Sequence, residues 1–259
     1  MPDTFGFADV DSAMQWSFVS VGVWWALFTI PIMVRVAEPR TALTSHEAVN
    51  MNPLIVGFSR FMETMRDLSR YRQLLLFLAA FWLYNDGVST IIKMAAIYGR
   101  EIGLDRATLI GALLLVQFVG IPFSFAFGAL AVRIGAKNGV MISLVVYSLM
   151  SILGYFMSEA WHFLALAVML ATVQGGCQAL SRSLFSRMVP KDKSAQYFGF
   201  YSVSAKFAGI FGPLIFAFIS DLTGSSRNSI LFIIVFFIVG MYLLSKVDVE
   251  AAEKVAQQG

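Results

Sequence analysis

Phe81-Trp82-Leu83-Tyr84-Asn85-Asp86-Gly87 lies at the centre of an apolar run, Leu74 to Tyr98, that exceeds the about 20 residues a helix needs to cross a bilayer. Asp86 therefore places a carboxylate at a depth where water is absent. A charge there costs about 2.5–3.5 kcal/mol on insertion scales, and such groups face a bundle interior or a water-filled cavity. Read as one helix, the run puts Trp82, Asn85, Asp86, Ser89, Thr90 and Lys93 on one side and Leu83, Val88, Ile91, Ile92 and Ala95 on the other. Asp86 is read as a functional group, with the pinning of helices through a buried hydrogen bond as the alternative. Asn85-Asp86-Gly87 is also a turn signal in soluble proteins. In a membrane helix it predicts local unwinding of the kind found at transporter sites.

Working outward, the 259 residues are 58% hydrophobic and 14% charged with 24 Phe, and the mean hydropathy is +0.73. A soluble domain could not bury that much apolar surface, so the chain is polytopic in a membrane. Seven apolar runs predict seven spans, at 16–34, 73–98, 107–131, 138–157, 162–185, 196–219 and 226–245. Residues 1–15 carry Asp3, Asp9 and Asp11 and no Lys or Arg, which excludes the basic start of a secretory signal. The opening reads as the interior of a loop.

The distribution of charge gives the topology. Fourteen Lys and Arg fall on one side, in 35–72, 132–137, 182–195 and the tail, against three on the other, Arg100, Arg106 and Arg227. The rich side is cytoplasmic by the positive-inside rule, which places the N-terminus outside and the C-terminus inside. The net charge of +3 thus reflects topology rather than a nucleic-acid partner. An odd number of spans with an acidic start is what remains when five helices are removed from a twelve-helix chain; the alternative is a seven-span product. The connection 35–72 is a polar linker, in which Leu54, Ile55, Phe58, Phe61, Met62, Met65 and Leu68 recur at helical spacing. They predict an amphipathic helix on the inner membrane surface or against the bundle.

Polar residues at depth are few. Asp86 is the only carboxylate in the predicted spans, and Lys93, Arg182 and Lys206 are the basic residues, apart from Arg227, counted above with the outer side, at the edge of 226–245. Lys206 sits near the centre of its span, too deep to snorkel, so Asp86 and Lys206 are expected to share a polar cavity. Lys93, two turns from Asp86 on the same face, competes for that partnership. In 162–185, Gln174, Gln178, Ser181 and Arg182 share a face. Beside them Ala171, Gly175, Ala179 and Ser183 form a small-residue stripe that permits close helix approach. Gln117 adds an amide in 107–131. Ala205, Ala208, Gly209, Gly212 and Pro213 predict a tightly packed, kinked helix in 196–219. A lone Cys177, an isolated His46 and His162, and the absence of metalloprotease, nucleophile-elbow and phosphate-loop motifs leave no residues for a metal site, a cofactor or an enzyme.

The segment Gly128-Ala129-Leu130-Ala131-Val132-Arg133-Ile134-Gly135-Ala136-Lys137 resembles the basic signature loop of the major facilitator superfamily. Gly128, Arg133, Gly135 and Lys137 match its pattern, while Val132 replaces its acidic residue. Trp24-Trp25-Ala26-Leu27-Phe28-Thr29-Ile30-Pro31, Tyr84-Asn85-Asp86-Gly87, Ser181-Arg182-Ser183-Leu184-Phe185 and Phe198-Gly199-Phe200-Tyr201-Ser202 are similar to the branch of autophagy-related vacuolar amino-acid effluxers and their bacterial relatives. The resemblance implies an all-α integral membrane protein with a major-facilitator-type helical bundle. On that map 1–34 ends an N-terminal bundle absent from this chain, 35–72 is the central cytoplasmic linker, 73–246 is the C-terminal six-helix bundle and 247–259 is a cytoplasmic tail. The cavity-lining first and fourth helices of the half become 73–98 and 162–185. The residues and the resemblance together point to secondary active transport of a small solute, amino acids included, by alternating access with proton coupling in a bacterial inner membrane. Asn85, Asp86, Lys93, Gln174, Gln178 and Lys206 are the candidate substrate or proton site, and Gly128, Arg133, Gly135 and Lys137 the candidate gating loop. The rival reading is a non-transporting membrane scaffold or sensor whose buried polar groups are structural.

Overall fold

The computed structural model describes residues 6, 9–36, 53–68 and 70–258, and His46 lies outside them. All regular structure among the described residues is helical. The chain divides into two units, 1–52 and 53–259, taken separately below.

The first unit contributes helix α1, Val10–Arg35, with Pro31 inside it. Its start is fixed by Asp9, whose side chain accepts from the Ser12 amide at 2.6 Å and satisfies one of the orphan donors of the first turn. The Ser12 amide, with the Ser12 hydroxyl beside it, holds the Asp9 carboxyl below the usual carboxylate pKa. Arg35 occupies the last turn, where the helix dipole favours a cation.

The second unit holds α2 (Pro53–Leu68), α3 (Arg72–Glu101), α4 (Arg106–Ile134), α5 (Ala136–Tyr155), α6 (Ala160–Met188), α7 (Ser194–Thr223), α8 (Ser226–Ser245) and α9 (Val249–Gln258). With α1, the helices α3 to α8 make seven among the described residues that are long and apolar enough to cross a membrane, matching the seven predicted spans. Their starts follow ordinary capping chemistry. Asp105 accepts from the amides of Ala107 and Thr108, and with the Thr108 hydroxyl these bonds hold its carboxyl below the usual range. At α6, Glu159 and His162 form a capping box, which gives the isolated histidine a structural role.

Helix α3 packs against α7 and α8, α4 against α6, and α5 against both α6 and α8. Without a hydrophobic drive between helices in lipid, such contacts depend on small residues that let the backbones approach. Gly87 faces Phe236 and Phe237, Gly240 faces Tyr84 and the Ala80 carbonyl, Gly175 meets Ser124, and Gly176 meets Phe127. The small-residue stripe of 162–185 therefore seats α6 on α4. The same packing corrects the expectation of unwinding at Asn85-Asp86-Gly87. Helix α3 is continuous there, because Gly87 serves to admit the α8 phenylalanines rather than to turn the chain. Between α3 and α6, the Tyr84 hydroxyl lies 2.8 Å from Ser181 Oγ, which itself donates to the Cys177 carbonyl.

Within 35–72 the amphipathic helix is α2, and it packs against α7. Thr64 and Leu68 are buried, Phe61 stacks on Phe200 with ring centroids 5.0 Å apart, and Lys193 Nζ reaches Asp67 at 2.7 Å. Ile55, Phe58, Met62 and Met65 form a neighbouring, exposed stripe. The segment read as a tail is helix α9, with Ala252 and Ala256 buried and Glu253 paired to Arg187 of α6.

A Cβ on Gly176 would overlap the Phe127 ring, so Gly176→Ala is expected to destabilise the bundle by about 1–3 kcal/mol through overpacking, read as a lower thermal midpoint in detergent. The Asp67 hydrogen bond raises the Lys193 amine above the usual lysine pKa. Its contribution is complete below the unfolded pKa of about 10.4 and is lost as pH rises through the higher folded value. Proteolysis of α2 should accordingly stay constant through neutral pH and rise only in alkali, and Lys193→Met should abolish that alkaline rise.

Candidate functional site at the broken helix α7

Helix α7 carries its own defect. Pro213 has no amide proton and its ring crowds the carbonyl four residues back, which here belongs to Gly209. Gly209 takes the non-helical angles φ −81° and ψ 18°, and the helix bends there as the sequence predicted. The Gly209 carbonyl has lost the donor that a regular helix would supply, and in hydrocarbon no water replaces it. Lys93 fills the place: its Nζ donates to the Gly209 oxygen at 2.7 Å. Two further donors from the same face of α3 reach α7 carbonyls just ahead of the bend, Trp82 Nε1 to Ser204 at 2.9 Å and Asn85 Nδ2 to Ala205 at 3.3 Å.

Asp86 stands in the middle of this contact, 3% exposed. Thr90 Oγ1 donates to its backbone carbonyl at 2.7 Å, so the threonine hydroxyl is engaged with the helix. Gly212 closes over the carboxyl so tightly that a Cβ there would lie 2.9 Å from Asp86 Oδ1. Asp86 Oδ1 has no hydrogen-bond partner. Lys206 is exposed and no ion pair joins it to Asp86 among the described residues. The cause is geometric, since Lys206 and the Gly209–Gly212 face that meets α3 lie on different sides of α7. Lys93 is spoken for by the Gly209 carbonyl. The buried carboxyl and the two expected counter-charges are thus brought near one helix bend without being paired.

The other predicted residues divide. Gln174 is half-buried and Gln178 exposed, while Ser181 on the same predicted face is buried because Tyr84 reaches it. Gln174 and Gln117 line a cavity of about 420 Å³ whose other walls are mostly apolar, among them Ile91, Leu113 and Ile230, with Ser151 and Tyr98 beside them. The expected gating loop is mostly helical: Gly128 and Arg133 are exposed within the last turns of α4, and Lys137 opens α5, so that Gly135 alone joins the two helices. Gly135 has φ 84° and ψ 150°, a conformation that is essentially glycine's alone. Lys137 Nζ donates to the carbonyls of Ser245 at 2.9 Å and Val247 at 2.7 Å. The Ser245 carbonyl is an orphan acceptor at the end of α8, where a cation is also favoured by the dipole, and Val247 follows in the link to α9. Trp82, Thr90, Ser204 and Gly212 belong to the site and were not singled out as site residues from the sequence. The available signal was the Gly209–Pro213 spacing, which predicts an acceptor in need of a donor. No group of three or more His, Cys, Asp or Glu side chains suited to a metal ion occurs among the described residues.

Comparison with known proteins adds a second line. Residues 6–257 match the model of a family described as vacuole effluxer Atg22 like. An uncharacterized MFS-type transporter, YxiO of Bacillus subtilis, is 39% identical over 249 residues, 96% of this chain and 57% of that protein. Autophagy-related protein 22-1 of Aspergillus niger is 26% identical over 253 residues, 90% of this chain and 41% of that protein. Autophagy-related protein 22 of Yarrowia lipolytica is 27% identical over 277 residues, 95% of this chain and 46% of that protein. The chain spans about half the length of the curated relatives it matches.

The Gly212 contact is testable by itself. Gly212→Ala should push α7 off Thr90 and Asp86 at an overpacking cost of about 1–3 kcal/mol, whereas alanine at the exposed Gly199, with nothing around its Cβ, should leave the thermal midpoint unchanged.

Proposed function

Because the chain belongs to the Atg22-like vacuole effluxer family, we propose that its six-helix bundle is half of a secondary transporter that moves small solutes by alternating access. The observation that carries the proposal is the buried Asp86 carboxyl, one oxygen unbonded, set against a helix broken at Gly209. A buried carboxyl with an oxygen left unbonded is costly in the membrane unless it takes up and gives back a cation or a proton. A broken helix packed on it supplies an element with more than one shape. Asp86 is the proton or substrate-amine site, Asn85 and Lys93 shape its surroundings, and Gln174 offers an amide to solute from the cavity between helices. The bundle rocks against a second, N-terminal bundle about a mid-membrane site. The description of the family supports efflux, and we take the cargo to be a small solute, amino acids included. Topology follows the charge count: α2, the α4–α5 connection and α9 face the cytoplasm of a bacterial inner membrane.

The scaffold reading draws on one observation, the exposed Ile55, Phe58, Met62 and Met65 stripe of α2, and it requires no flux. Both are decided by reconstituting the complete protein in vesicles with an imposed proton gradient and following a panel of amino acids. The transport reading expects gradient-dependent flux that Asp86→Asn abolishes while the protein keeps its thermal midpoint. Flux unchanged in Asp86→Asn would remove Asp86 from the mechanism. Absence of gradient-driven flux across the panel in the wild type would favour the scaffold.

A further inference from the structure

The geometry points to Lys93 as a transferable latch: on the Gly209 carbonyl it holds α7 bent, and on the Asp86 carboxylate it leaves that carbonyl without a donor and lets the bend change. The inference rests on Asp86 as the group that gains and loses charge, and it adds the part that turns this event into motion.

Three observations carry it. Pro213 removes one specific hydrogen bond from α7, and Lys93 Nζ replaces it at 2.7 Å. An ammonium in that position is bound to a helix whose shape depends on it. Next, Asp86 and Lys93 lie on one face of α3, and their contacts on α7 are one turn apart. Lys93 Nζ sits 3.0 Å from the Cβ position of Gly209, and Asp86 Oδ1 sits 2.9 Å from that of Gly212. The rise between those two glycines is about 4.5 Å, a step that a flexible four-carbon stem accommodates by rotamer change. Finally, the other basic side chains of the predicted spans are exposed, away from the buried Asp86. On α8 it is Phe236 and Phe237 that pack beside it, against Gly87, on α6 Arg182 is exposed, and on α7 Lys206 is exposed. Lys93 is the basic side chain that shares the polar face of α3 with Asp86 and reaches the same stretch of α7.

The cycle is then simple. With its proton on, Asp86 needs no counter-ion and Lys93 stays on Gly209. When the proton leaves toward the solute pathway, the carboxylate draws the ammonium across, the Gly209 carbonyl is released and α7 changes its bend. Protonation returns the latch.

The experiment uses the full-length transporter in lipid, with spin labels at Val203 and Phe218, both exposed on α7 and on either side of Gly209. Inter-label distances are measured by pulsed dipolar spectroscopy at acid and alkaline pH. The latch predicts two distance populations whose weights shift with pH in the wild type. It predicts one pH-independent population in Asp86→Asn, and loss of the pH response in Lys93→Met. Pro213→Ala restores an amide to the Gly209 carbonyl, so in that background Lys93→Met should leave both distance and thermal midpoint unchanged. A pH response that survives Lys93→Met, a wild-type distance that ignores pH, or Lys93→Met effects that are the same with and without Pro213 would each overturn it. If Lys93→Met alone fails to fold, recovery of folding in the Pro213→Ala double variant supports the latch and failure to recover overturns it. Flux absent from a protein whose distances still switch would count against the transport reading and leave the latch standing.

Discussion

A backbone carbonyl without a donor is tolerable in water and costly in hydrocarbon. The architecture of α3 and α7 follows from one such group. Pro213 breaks the ladder of α7 at Gly209, and the polar face of α3 exists opposite that break, with Trp82, Asn85 and Lys93 each donating to an α7 carbonyl. In a soluble protein the same kink would be hydrated and α3 could be apolar throughout. Here the defect imposes charge and amide groups on its neighbour, and that requirement is what brings a lysine close to Asp86.

The surrounding bundle serves this contact by holding α3 from its other sides. Gly87 and Gly240 let α8 close on the back of α3, and the Tyr84–Ser181 hydrogen bond ties it to α6. Phe81, Tyr201 and Phe185 interlock α3, α7 and α6 toward one end, with Phe81 and Tyr201 centroids 4.4 Å apart and Phe185 and Tyr201 4.6 Å apart. Movement is thereby confined to the part of α7 beyond Gly209, where the ladder is already broken.

Much of this was legible in the residues because lipid is a demanding solvent. The seven spans, the polar face of α3 and the bend near Gly209 and Pro213 each follow from a single local rule about length, periodicity or a missing donor. What stayed hidden depended on distances between helices. Lys206 and Lys93 were equal candidates as partners of Asp86, since helical spacing says nothing about which side of α7 meets α3. Ser181 shared a predicted face with Gln178, and only the reach of Tyr84 separates the buried residue from the exposed one. Asn85-Asp86-Gly87 carried a turn signal that the α8 phenylalanines override. Residues 247–259 read as a tail, and the docked helix α9 rests on contacts with another element, the burial of Ala252 and Ala256 and the pairing of Glu253 with Arg187 of α6, which no local pattern announces.

The helices of the bundle come in two lengths. Helices α5 and α8 have 20 residues each, about 30 Å at the α-helical rise, which equals the thickness of a typical hydrocarbon core. Helices α3, α4, α6 and α7 have 29 or 30, so they must lean or protrude. The short pair behaves as a gauge fixed to the bilayer, and the long four as levers whose tilt the gauge sets. A thicker membrane would stretch the fit of α5 and α8 first and bring α3 and α7 more upright, changing the angle at which they meet. The central contact is thus built between two of the long helices, whose fit to the bilayer leaves room for tilt that the short pair lacks.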